Sequence, residues 1–83
     1  MSEDIKKEIR KELEDRHYMA LKSYNDNDNL EFHRVFLYQD TLLAKRNEGD
    51  PVSIDDVLGR SLVEMYVTDD ESYIEELLKE EVV

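Results

Sequence analysis

A chain of 83 residues with 22 acids, 11 Lys and Arg and no cysteine has room for one small domain and excludes disulfides, thiolate nucleophiles and cysteine-ligated metals. The formal charge of −11 disfavours direct contact with nucleic acid or an anionic membrane surface. No apolar run is long enough to span a bilayer and no signal-peptide core opens the chain, so a soluble, cytoplasmic protein is expected.

Residues 3–24 read as a helix. Ile5, Ile9, Leu13, Ala20 and Tyr24 recur every three to four residues as a narrow apolar stripe. Glu3–Lys7 and Glu12–Arg16 place an acid four residues before a base, which supports a helix by a few tenths of a kcal/mol (~0.3) per pair. The first turns are thinly apolar, so residues 1–14 are expected to project as a helical arm. In that reading Ile5, Ile9 and Leu13 form a self-association seam with a second copy.

Ser23–Asn29 is a polar loop, because Asn and Asp bond to nearby backbone and tolerate left-handed conformations. Asp28 and Glu31 have capping-box spacing for a second helix over residues 30–47. Phe32, Val35, Phe36, Leu42 and Leu43 fall on one side of it, and Leu30, Leu37 and Ala44 on another. A helix apolar on two sides is expected at the centre of a bundle. Lys45 and Arg46 suit its last turn and Gly49 its exit.

Asp50-Pro51 is a turn, and Ser53 is the N-cap of a third helix running to about Val67, with Asp55 and Asp56 in its first turn. Gly59 inside that helix implies a close neighbour. Leu62–Thr68 also has strand character, through Val, Tyr and Thr, but no partner strand is evident. Thr68 and Glu71 cap a fourth helix from about Asp69, with Tyr73, Ile74, Leu77 and Leu78 inward. The expected fold is therefore all-α: one domain over residues 1–83, a small bundle of about four helices with the long second helix central. Its expected core is Leu21, Phe32, Phe36, Leu42, Leu43, Ile54, Leu58, Leu62, Leu77 and Leu78. Phe36→Ala should then cost about 3–5 kcal/mol.

The chemistry-bearing candidates are few. Asn25–Asn29 alternates oxygen ligands, but neither counting frame supplies the Gly and Glu of a calcium loop. His17 and His33 sit in no catalytic pattern. Glu71, Glu75, Glu76 and Glu80 have the helical spacing of a magnesium-holding row, a spacing any acidic helix shows. No cofactor, metal or catalytic residue is assigned, and the chain is not read as an enzyme.

The distribution of charge is more informative. Between Asp50 and Val83 eleven acids face only Arg60 and Lys79, which places −9 in that stretch. First-turn placement accounts for several acids singly but not for the scarcity of bases. Tyr66 and Tyr73 bracket the acidic junction, and tyrosine is a frequent contact residue. The expected partner-binding residues are Asp55, Asp56, Tyr66, Asp69, Asp70, Glu71, Tyr73, Glu75, Glu76 and Glu80.

The reading is a small acidic protein-interaction module, an inhibitor, antidote or adaptor that docks on a basic protein. One alternative is a nucleic-acid mimic that blocks a DNA-binding enzyme. Another is a structural homo-oligomer, at simplest a homodimer. In size and acidity the chain is similar to immunity proteins of nuclease bacteriocins and to phage-encoded inhibitors, with no motif behind that likeness.

Overall fold

Among the described residues three helices and five strands follow one another, and the strands, not the helices, form the centre. The computed structural model describes residues 2–80. The elements are α1 (Ser2–Arg16), β1 (Tyr18–Tyr24), β2 (Leu30–Tyr38), β3 (Thr41–Lys45), β4 (Val52–Ser53), α2 (Ile54–Leu58), β5 (Ser61–Thr68) and α3 (Glu71–Lys79). The strands make one antiparallel sheet in the order β4-β3-β2-β1-β5. The fold is α+β, and the all-α bundle expected from the sequence is wrong.

Each error has a local cause. The predicted first helix ends early, because His17 takes φ 84° and its amide donates to the Leu13 carbonyl. That left-handed residue closes α1 as a C-cap does, and Tyr18–Tyr24 leaves as strand β1, which lies between β2 and β5. The predicted second helix is a hairpin of β2 and β3, with Tyr38 paired to Thr41. Gln39 and Asp40 turn it with φ 48° and 64°, the two positive angles of a type I′ turn. The usual Asn-Gly signal for that turn is absent. The predicted third helix is a short α2 capped by Gly59, followed by β5. Gly59 has φ −75°, and a Cβ there would meet only α2's own carbonyls. The predicted close neighbour is therefore not found.

The strands were hidden because the sheet is covered on both faces. Three successive residues, Met19, Ala20 and Leu21, are fully buried, so β1 lacks the alternation of a half-buried strand. Met19 and Leu21 face α1 and α2, and pack with Ile9, Leu13, Val35, Leu42, Ala44, Ile54 and Val57. Ala20 faces the other way and packs with Phe32, Ile74, Leu77 and Leu78 under α3. The result is three layers, with α1 and α2 on one side of the sheet and α3 on the other. Ala20, with no side chain beyond Cβ, lets α3 sit close to the centre of the sheet.

The expected core is partly right. Leu21, Phe32, Leu42, Ile54, Leu77 and Leu78 are buried. Phe36, Leu43 and Leu58 are half-buried, and Leu62 is exposed on β5. Phe36 lies on the α3 side of β2, next to a small cleft that α3 does not fill. Phe36→Ala should therefore cost about 1–2 kcal/mol, below the usual range for a fully buried ring, because Phe36 is only half-buried. A urea-midpoint comparison with Phe32→Ala checks this, and Phe32→Ala should be the more destabilised.

Two corrections bear on the arm and the seam. The first helix does not project, since Ile9 and Leu13 are 0% and 7% exposed beneath it. Ile5 is the one seam residue left outside, at 41% exposure. The apolar stripe that suggested a second chain is satisfied largely by the chain's own sheet.

Candidate functional site

The acids divide between the two outer layers. Asp55 and Asp56 lie on α2, on the α1 side of the sheet. Ser53 Oγ accepts the Asp55 amide at 3.2 Å, as an N-cap does. The Asp55 carboxylate is held by Lys6 at 2.8 Å, and Lys6 also meets Glu3 at 3.3 Å. Hydrogen bonds to Asp55 and Glu3 raise the Lys6 ammonium above its ordinary value. Arg10 donates to the Asp40 carboxylate at 3.0 Å across the same region. These pairs line a polar cleft of about 340 Å³ between α1 and α2, and charge largely cancels within it.

The α3 side is different. The turn from β5 into α3 carries Asp69 and Asp70, and α3 itself carries Glu71, Glu75 and Glu76, with Glu80 at its C-cap. Ile74, Leu77 and Leu78 face the sheet, which turns the acids to solvent. Asp70, not Thr68, is the N-cap: its carboxylate accepts the Ser72 amide at 3.1 Å and the Ser72 hydroxyl at 2.7 Å. Thr68 Oγ1 accepts the Asp70 amide at 3.0 Å. Glu71 pairs with Arg34 of β2, and Glu76 lies 3.8 Å from Lys79. Among the described residues, Asp69, Glu75 and Glu80 have no ion-pair partner. Glu81, the last acid of the block, lies outside the described residues.

Tyrosines meet these acids at the sheet edge. The Tyr66 ring packs against Phe32 at 6.1 Å and edge-on against Tyr73 at 6.4 Å between centroids. The Tyr66 hydroxyl donates to Glu64 at 2.8 Å. That bond, with burial and the nearby Glu64, Tyr73 and Glu80, raises the phenol above its ordinary value, so it stays a donor. Tyr73 is 45% exposed. Glu64, Tyr66, Asp69, Tyr73, Glu75, Glu76 and Glu80 together make an acidic face edged by two tyrosines. Asp55 and Asp56 are not part of it.

The sequence reading left out Glu64 and Arg34. On a helix Glu64 and Tyr66 point apart, whereas on a strand residues i and i+2 share a face. Assigning β5 as a strand would have joined them. Arg34 stands over Tyr18 at 5.6 Å as well as pairing with Glu71, and so ties α3 to the sheet.

A second polar cluster lies on the α1 side, near the β1–β2 loop. Glu31 is buried, and its carboxylate accepts from Asn25 at 2.9 Å and Arg60 at 2.6 Å, with Arg46 at 3.1 Å. Asn25 Oδ1 in turn accepts the amides of Asn27 at 2.8 Å and Asn29 at 3.0 Å. The Asn/Asp run is therefore a turn-former, while the capping box expected at Asp28–Glu31 is absent, because Glu31 lies within β2. Burial works to raise the Glu31 carboxyl; Asn25, Arg46, Arg60 and His33 outweigh it and hold the group below its ordinary value. His17 ends α1 and His33 is buried within β2, so the two histidines serve different elements. Among the described residues no three His, Asp or Glu converge as a metal-binding group, the row on α3 included. No described helix is long and apolar enough to cross a membrane.

Compared with known proteins, the chain matches no protein family, no curated protein and no solved structure. The functional reading therefore rests on the geometry.

Proposed function

We propose that this chain is a protein-binding module, an inhibitor, antidote or adaptor, that docks the α3 layer and the adjoining β5 edge on a basic protein surface. One observation carries the reading: the exposed side of α3 and its approach are almost uniformly anionic, next to two tyrosines at the sheet edge. Acids of one sign on one layer give a directional field, which speeds encounter with a cationic partner and repels nucleic acid and anionic lipid. Tyr73 supplies an exposed aromatic ring beside that field, a frequent anchor in interfaces. The role is non-enzymatic and cytoplasmic in this reading. Nucleic-acid mimicry gains less support, because the acids of α2 and α3 occupy opposite layers and form no single extended row.

The test is a charge reversal on α3. The triple variant Glu75→Lys, Glu76→Lys, Glu80→Lys should associate at least about tenfold more slowly with a basic partner isolated at low salt. Its circular dichroism should match the parent, since all three side chains face solvent. Asp56→Lys, on the opposite layer, should bind like the parent. Equal association rates for the triple variant and the parent would refute the proposed face.

A further inference from the structure

We propose that a cleft on the α3 side of the sheet, at Arg34, Phe36, Lys45 and Leu78, binds a small carboxylate that carries an apolar body, such as an aromatic acid. α3 covers only part of its side of the sheet. The cluster beneath it draws on β1, β2 and β5, and β3 adds no described residue to it. Beside that cluster lies a cleft of about 150 Å³, lined by Arg34, Phe36, Lys45, Arg46, Asn47 and Leu78. No acid is among these described residues, in a chain where acids outnumber Lys and Arg 22 to 11.

Strand pairing sets up the charge. Arg34 and Lys45 stand directly opposite each other across β2 and β3, and Arg34 is also opposite Ala20, which α3 covers. Both cations therefore lie on the α3 side. Like charges placed directly opposite destabilise a sheet, and an anion between them relieves the cost. Glu71 answers Arg34 alone, through one terminal nitrogen. A guanidinium carries several donors, so Arg34 keeps others for a second carboxylate. Lys45 has no carboxylate partner among the described residues. Its ammonium donates to the carbonyls of Arg46 at 3.2 Å and Asn47 at 3.5 Å, neutral groups that leave its charge unmatched. Arg46 reaches Glu31 at 3.1 Å and adds a third positive charge to the lining. Beside the cations lie two apolar side chains. Phe36, two residues beyond Arg34 on the same face, is half-buried, and Leu78 belongs to α3. Cations next to apolar side chains in one concavity favour an acid with an apolar body, because a bare oxyanion would leave Phe36 wet. The cleft is well below the about 300–1,000 Å³ of drug-sized sites, which limits the ligand to a fragment such as benzoate.

The chain's −11 opposes any anion at long range, and about 0.15 M salt, with a Debye length of about 8 Å, screens that field more than it screens contacts in the cleft. Neither the unpaired acids of α3 nor Tyr66 and Tyr73 line the cleft, so this site and the proposed docking face are tested apart. The experiment is an NMR titration of the nitrogen-labelled full chain at that ionic strength. Three compounds are compared: benzoate, benzyl alcohol as its uncharged counterpart, and inorganic phosphate as an anion without a ring. Benzoate should shift the amide signals of Arg34, Phe36, Lys45 and Leu78 saturably, with a Kd of about 10 mM, the order expected for so few atoms. Benzyl alcohol and phosphate should each bind at least about fivefold more weakly. Lys45→Met, which keeps the stem and removes the charge, should weaken benzoate at least about fivefold. Lys11→Met, an equal loss of charge from α1 on the opposite layer, should bind like the parent. Thermal melts establish that both variants are folded, and the comparison of the three compounds needs no variant. No saturable shift with benzoate would overturn the proposal. So would phosphate or benzyl alcohol binding as tightly as benzoate, or a folded Lys45→Met that binds benzoate like the parent.

Discussion

Ile9→Ala should lower the unfolding free energy by about 2–5 kcal/mol, the usual range for truncating a fully buried aliphatic residue. Ile9 is 0% exposed and packs in the cluster that joins α1 and α2 to the sheet. A domain of this size is stable by roughly 4–12 kcal/mol in all, so the loss is a large share and could leave the chain partly unfolded. The helix itself gains slightly from alanine, which works against the loss by only about 0.4 kcal/mol. Ile5→Ala, one turn earlier and 41% exposed, should cost less than about 1 kcal/mol. Urea unfolding of both variants, with equal slopes, separates the two accounts of α1. A projecting arm predicts that neither change matters, whereas a packed helix predicts the contrast.

Glu31→Gln should destabilise the fold by about 2–3 kcal/mol at neutral pH. Losing one partner of a buried ion pair typically costs about 3–5 kcal/mol. The figure is lower here because Arg60 and Arg46 are 32% and 41% exposed and can return to water. Glutamine keeps the shape and one acceptor, so cavity formation does not confuse the result. The same carboxylate predicts a pH dependence. Glu31 titrates below its ordinary value of 4.5 in the folded chain, so the unfolded chain takes up the proton first as pH falls. Its contribution is complete above about 4.5 and is lost as pH drops through the lower folded value. Melting temperature should therefore fall in that acid window, and Glu31→Gln should flatten the fall. A parent and variant that lose stability in parallel would show that the carboxylate adds nothing.

What could be read from the sequence depended on whether a signal was local. The Asn25–Asn29 turn, the Ser53 cap and the amphipathic α3 all rest on residues a few positions apart, and all three stand in the structure. The sheet rests on pairs far apart in sequence, such as Tyr18 with Thr68. β1 is the central partner of both β2 and β5, yet it directly continues a helical stripe. Burial on both faces removed its alternation, and a hairpin turn of Gln39 and Asp40 carried no Gly, Pro or Asn to mark it. Once β1 was read as helix, β5 had no partner, and its Val, Tyr and Thr could not be used.

The site was legible to the same extent. The excess of acid after Asp50 is a property of composition and survives any fold. Its division between two layers is a property of topology. Asp55 stands beside Lys6 because α1 and α2 share one face of the sheet, a contact that no spacing within either segment announces. Tyr66 and Tyr73 meet because a strand and the following helix fold back on each other.

The central claim is that the α3 layer binds through its field. Association kinetics with a basic partner, followed from low to high ionic strength, address it most directly. The on-rate should fall steeply as salt rises, and the slope should flatten in the Glu75→Lys, Glu76→Lys, Glu80→Lys variant. An on-rate indifferent to salt, with parent and variant superimposed, would contradict the claim.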